Sequence, residues 1–218
     1  PISIFHKYGT IFGIGEKTGI DMPYEKNGIM PSRDWKKRTH NLAWYPGDSV
    51  NASIGQGFTL ATPLQLAVMT AGLANQGKIP VPRVARDKNS SLIVRKEVEI
   101  QKKYWNYVRK AMKDVVHDPS GTARRINQGI DYEISGKTGT VQVIGIKQKE
   151  RYDIASIAKK NRDHALFIAY APSDKPKVAI AIIIENGGSG SARAAPAAKE
   201  VIETYMNLYS INPNESKK

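Results

Sequence analysis

The sequence predicts an α+β fold, on three observations. Two stretches in the middle of the chain carry helical periodicity, the first opened by a proline-bearing cap. Three segments of strand composition follow, the last two joined by a turn rich in proline and aspartate. A further helical stretch closes the chain. Helices, then antiparallel strands, then a terminal helix define the class.

Residues 1–60 are rich in glycine and proline and short on periodicity. They read as loops and short elements, with a helix around residues 32–37. Asn51-Ala52-Ser53-Ile54-Gly55-Gln56-Gly57 reads as flexible, its glycines letting the backbone turn sharply. Thr62-Pro63-Leu64-Gln65 spells a capping box with proline at the first helical position. Leu64, Ala67, Val68 and Ala71 continue at helical spacing, and Gly77 stands where a helix stops. That stripe predicts a largely buried helix. Ile100, Tyr104, Val108, Met112 and Val115 then mark an amphipathic helix of about four turns, ending near Asp118-Pro119.

Gly121-Thr122-Ala123 opens a shorter polar segment. Residues 132–143 read as a strand with glycines in its middle, the sign of a bulge or of something approaching closely. Residues 145–163 read as a charged, irregular surface insertion. Residues 165–171 and 178–185 form the expected hairpin, turned at Pro172-Ser173-Asp174-Lys175-Pro176. Residues 186–190 break the chain. Residues 195–208 read as a helix with Val201, Ile202, Tyr205 and Met206 on its apolar side. Residues 1–211 are expected to form one domain portion, with 212–218 a disordered tail.

Composition narrows the function. Hydrophobic residues at 40% and charged residues at 24% are those of an ordinary globular chain. No apolar run approaches the ~20 residues that cross a bilayer. The chain opens at Pro1 without an initiator Met, so a longer parent polypeptide is expected, with any membrane anchor upstream. The formal charge of +13 is spread along the chain without a block, as on solvated faces, and a nucleic-acid partner is not expected. There is no cysteine, and the 4 histidines lie far apart, so no metal site is expected.

The chemistry-bearing candidate is Ser135-Gly136-Lys137-Thr138-Gly139-Thr140. A phosphate-binding P-loop would need glycine where Asp131 stands, and an anion there opposes phosphate. The other use of Lys-Thr-Gly is the cleft-lining strand of penicillin-binding serine acyltransferases. Such a strand pairs with an extended peptide, and Gly139 leaves room for it. Lys137 supplies a cation and Thr138 a hydroxyl, together suited to a terminal carboxylate. The Thr140 amide would help stabilise the oxyanion of acyl transfer.

With those residues in view, the chain resembles the transpeptidase domain of penicillin-binding proteins, in particular the elongation type of Gram-negative bacteria. The resemblance runs from about residue 8 to 209. It rests on Thr18-Gly19-Ile20-Asp21, Met30-Pro31-Ser32-Arg33-Asp34-Trp35-Lys36, Trp44-Tyr45-Pro46-Gly47-Asp48, Ile54-Gly55-Gln56-Gly57 and Ala61-Thr62-Pro63-Leu64-Gln65. Gly121-Thr122-Ala123, the Lys137-Thr138-Gly139-Thr140 strand, Arg162-Asp163-His164 and Glu185-Asn186-Gly187-Gly188 complete it.

The resemblance implies a partial penicillin-binding, serine β-lactamase-like fold, an antiparallel sheet with helices on both sides. It implies D,D-transpeptidation of peptidoglycan stem peptides through a serine acyl-enzyme, no cofactor, and β-lactams as ligands of the full domain. The family's aspartate- and histidine-containing metal site, where present, precedes this region, so no zinc is expected here. Lys137 and Thr140 are the catalytic candidates; Ser135, Thr138 and Gly139 are the substrate-binding ones. It further implies a periplasmic domain of an inner-membrane protein, working with a glycan polymerase and the rod-shape elongation complex. The family's nucleophile motif S-x-x-K and its S-x-N motif are expected before residue 1. The chain alone is therefore expected to be inactive. Ser156-Ile157-Ala158-Lys159 and Ser49-Val50-Asn51 match those patterns in the wrong places and are read as decoys. The rival readings are a non-catalytic penicillin-recognising sensor or scaffold of the same fold and a basic nucleic-acid binder.

Overall fold

The computed structural model describes residues 2–85, 93–144 and 157–210. They cluster in two units, Pro1–Ile100 and Gln101–Lys218. The expected tail at 212–218 and Ser156 of the S-x-x-K look-alike lie outside the described residues. Of the expected insertion at 145–163, only residues 157–163 are described, with a 3-10 turn at Lys159–Asn161.

The first unit is built from α1 (Ile2–Ile11), α2 (Arg33–His40), α3 (Pro46–Ser53) and α4 (Pro63–Ala74), followed by the antiparallel pair β1 (Lys78–Pro80) and β2 (Val94–Glu97). Residues 1–60 are thus more helical than expected. In α1, Gly9 obscures the pattern, since mid-helix glycine is a poor helix former. Packing requires it: a Cβ there would lie 2.4 Å from the Met30 sulfur. In α3, Pro46 opens the helix and Asp48 Oδ2 accepts the Tyr45 N–H at 2.7 Å, which makes Asn51–Ser53 helical instead of flexible. The look-alike Ser49 sits inside this helix, its Oγ accepting from Trp44 Nε1 at 2.9 Å.

α2 starts as expected, Ser32 Oγ accepting the Trp35 N–H at 3.0 Å. Its Lys36 is a buried cation, 4% exposed. Lys36 Nζ donates to Asp48 Oδ2 at 2.5 Å and lies 5.9, 4.7 and 5.5 Å from the rings of Trp44, Tyr45 and Phe58. A carboxylate and three π-faces replace the water lost on burial. The Lys36 hydrogen bond, with the Tyr45 amide, holds the Asp48 carboxyl below the usual carboxylate range. α4 has the predicted capping box, with Thr62 Oγ1 accepting from Gln65 N and Gln65 Oε1 accepting from Thr62 N.

The second unit contains α5 (Lys102–His117), the sheet β3 (Ser135–Val141), β4 (His164–Ala171) and β5 (Val178–Ile184), and α6 (Ala195–Ser210). The hairpin β4–β5 and the terminal helix match expectation. Both helices contribute to one core, in which Val116 of α5 and Ala195, Ala198 and Ile202 of α6 meet Ala165, Phe167, Ala169 and Ala171 of β4. These alternate β4 residues define the core face of the sheet.

Two helix faces differ from the sequence reading. In α5 the buried residues are Trp105, Met112 and Val116, while Tyr104 and Val108 are 53% and 38% exposed. Trp105, with the largest apolar surface on the helix, takes the inward position and rotates the stripe by one residue. In α6, Val201 is 48% exposed, and Ala195 and Ala198 lead into Ile202. Small residues let that helix lie close to the sheet.

Candidate active site

β3 carries Ser135 to Thr140 fully extended, in unbroken antiparallel register with β4 from Ser135 opposite Tyr170 to Val141 opposite His164. In the order β3-β4-β5 this strand is an edge: among the described residues no strand pairs with its outer side. An edge strand offers main-chain N–H and C=O groups to an extended peptide before any side chain acts. Its glycines mark close approach, not a bulge. A Cβ on Gly136 would lie 2.5 Å from the Phe167 ring and 2.8 Å from Ile168 O. Behind Gly139, Gly190 comes so near that its own Cβ would lie 2.3 Å from Gly139 O and 2.4 Å from Leu166 O. Gly190 opens a π-turn, Gly190–Ala194, that leads into α6.

Register sorts the side chains by face. Gly136, Thr138 and Thr140 stand opposite Ala169, Phe167 and Ala165, on the core face. Ser135, Lys137 and Gly139 share the other face with Tyr170, Ile168 and Leu166. Lys137 is exposed, and its Nζ donates to Thr138 O at 2.7 Å. Thr140 is exposed, opposite Ala165. Ser135 was expected to touch substrate, yet it is fully buried, its Oγ 2.8 Å from Ser173 Oγ. The β4–β5 turn covers the start of β3, where Ser173 N–H also donates to Glu133 O at 2.8 Å. Ser135 therefore anchors the strand from inside.

Two further groups brace that turn and strand. Arg109 of α5 donates to Ser173 O at 2.6 Å and Asp174 O at 3.3 Å. His117 Nε2 accepts the Ile134 N–H at 3.0 Å, just before β3. Neither is legible in sequence, because each bonds to main chain contributed by a distant segment. Thr122, in the phrase Gly121-Thr122-Ala123, does reach the motif: its Oγ1 lies 3.1 Å from Thr138 Oγ1. The phrase was visible, but nothing local linked it to β3.

A strand edge with a lysine, a hydroxyl and two glycines can bind an extended peptide and its carboxylate. Comparisons with known proteins point the same way. The family model of the penicillin binding protein transpeptidase domain matches residues 2–203. A curated relative, "Peptidoglycan D,D-transpeptidase MrdA" of Acinetobacter baumannii, is 42% identical over 210 residues, 93% of this chain and 31% of the relative. The chain thus spans about a third of the length of the curated relatives it matches. Among solved structures, Pseudomonas aeruginosa PBP2 in complex with WCK 5153 superposes with a TM-score of 0.80 at 38% identity, over 94% of this chain and 43% of that one. The complex of PBP2 with MreC from Helicobacter pylori gives 0.81 at 33% identity, over 95% and 36% of the respective chains. The extended motif strand and these likenesses converge: the chain belongs to the penicillin-binding protein transpeptidase family.

Proposed function

We propose that this chain supplies the carboxylate-recognising wall of a peptidoglycan D,D-transpeptidase, and that the serine of S-x-x-K and its lysine base come from elsewhere in the complete polypeptide. The observation that carries the reading is the extended, edge-placed β3 with its Lys137-Thr138-Gly139-Thr140 stretch. The family model runs through both units, which supports treating residues 1–211 as part of one transpeptidase domain.

The donor stem peptide lies along β3 as an added strand. Serine Oγ attacks the carbonyl of the penultimate D-alanine while its proton passes to the lysine base. The C–N bond breaks, and terminal D-alanine leaves as a protonated amine. An acceptor amine then attacks the acyl-enzyme and restores the serine. Lys137 provides positive potential for the carboxylate and for the S-x-N serine. Thr138 donates to the carboxylate, and the Thr140 amide to the oxyanion. The same strand recognises β-lactams. In this reading the complete protein is a periplasm-facing, membrane-anchored enzyme that works with a glycan polymerase and the rod-shape elongation complex; the likeness to PBP2 solved in complex with MreC supports a protein partner of that kind.

Replacing Lys137 by alanine in the complete polypeptide lowers acylation by a labelled β-lactam roughly 100-fold. The melting temperature barely changes, because the side chain is exposed. Near-normal acylation in that variant would remove Lys137 from the site.

A further inference from the structure

We infer that Thr122 is a positioning residue for Thr138, fixing which way the Thr138 hydroxyl donates; the inference rests on the transpeptidase reading above. The two Oγ1 atoms are 3.1 Å apart, and either can donate. A threonine hydroxyl has one proton and two lone pairs. If Thr138 gives its proton to Thr122, it has none for a carboxylate. If Thr122 is the donor, the Thr138 proton is left to point outward along the strand edge. An arriving carboxylate selects the second arrangement, a relay from Thr122 to Thr138 to the anion, in which each bond polarises the next.

The turn is built to hold that hydroxyl. Gly121 N–H donates to Asp118 O at 2.8 Å, and Ala123 N–H to Val115 O at 2.9 Å. Gly121 has no substitute, since a Cβ would lie 2.5 Å from Val115 O and 2.6 Å from Asp114 O. Ala123 is 1% exposed, inside the core. Ahead of them, the Ser120 hydroxyl donates to Asp118 Oδ1 at 2.5 Å and its amide at 2.8 Å; these bonds hold the Asp118 carboxyl below its usual range. Packing thus dictates the first and third residues of Gly121-Thr122-Ala123. It does not dictate the second, whose side chain is exposed and whose described polar partner is Thr138. β-branching further restricts χ1 of Thr122, so the oxygen stays aimed at β3.

The test uses the complete polypeptide and a penicillin bearing its ring carboxylate, with progress curves separating the dissociation constant of the initial complex from the limiting acylation rate. Thr122→Val, which keeps shape and removes the hydroxyl, is expected to raise the dissociation constant about threefold to tenfold and leave the limiting rate within about twofold. Thr122→Ser, which keeps the hydroxyl without the β-branch, recovers affinity to within about twofold of wild type. On a Thr138→Val background, Thr122→Val adds nothing. Wild-type affinity in Thr122→Val overturns the inference, and so does a loss that persists undiminished on the Thr138→Val background, which would mean that Thr122 acts independently of Thr138. If Thr122→Val does not fold, Thr122→Ala read on both backgrounds decides in the same way. Failure of the wild-type polypeptide to be acylated at all sinks the transpeptidase reading itself and is distinguishable from either outcome.

Discussion

Gln65 shows how much one side chain can carry. It is 1% exposed. Its Oε1 closes the capping box of α4, while its Nε2 donates to Glu16 O at 2.7 Å, Asn27 O at 2.8 Å and, more weakly, Gly13 O at 3.4 Å. One amide thereby ties two loops to a helix start. Gln65→Ala leaves those carbonyls without their donor and opens the cap, and is expected to cost about 2–4 kcal/mol, read as a lower urea midpoint. Half of this role is written locally: Thr62 and Gln65 stand at capping-box spacing, so the cap was legible. The other half was not. The carbonyls belong to any residues at all, and only the folded chain brings residues 13, 16 and 27 under residue 65.

Among the elements, β3 depends on the turn packed behind it. Gly190 has an ordinary φ, so its requirement is one of space: backbone oxygens of Gly139 and Leu166 occupy the place of a side chain. Gly190→Ala is expected to destabilise by about 1–3 kcal/mol and to lower β-lactam acylation in the complete polypeptide, because the clash can be relieved only by shifting β3 or the π-turn. An unchanged melting temperature together with unchanged acylation would show that the turn gives way freely. The presence of α4, α5, α6, β3 and the β4–β5 hairpin was legible, since each runs long enough for its period to repeat. The facing of α5 and α6 was not. Neighbouring apolar residues such as Tyr104 and Trp105, or Val201 and Ile202, fit a helical stripe in either phase, and the sheet they meet makes the choice. The β1–β2 pair escaped notice for a related reason: every residue of β2 is exposed, so no alternation marks it.

For the whole molecule, the division of chemistry is the main consequence. In the proposed function, the wall that binds a carboxylate lies in this chain and the nucleophile lies elsewhere. Nucleophile and base act as a unit, so incubation of the isolated chain with a labelled β-lactam is expected to yield no covalent adduct by intact mass. A stable adduct would contradict this, and one on Ser156 would reinstate the S-x-x-K look-alike. The sequence by itself determined the class of fold, the order of its main elements, the motif strand and the family, because capping, periodicity and motif spelling are local and survive without contacts. Only the tertiary structure decided that β3 is an edge, that Ser135 turns inward to Ser173, and that Thr122 meets Thr138. Those outcomes depend on pairing between segments distant along the chain, and no window of neighbouring residues encodes which distant atoms will share a face.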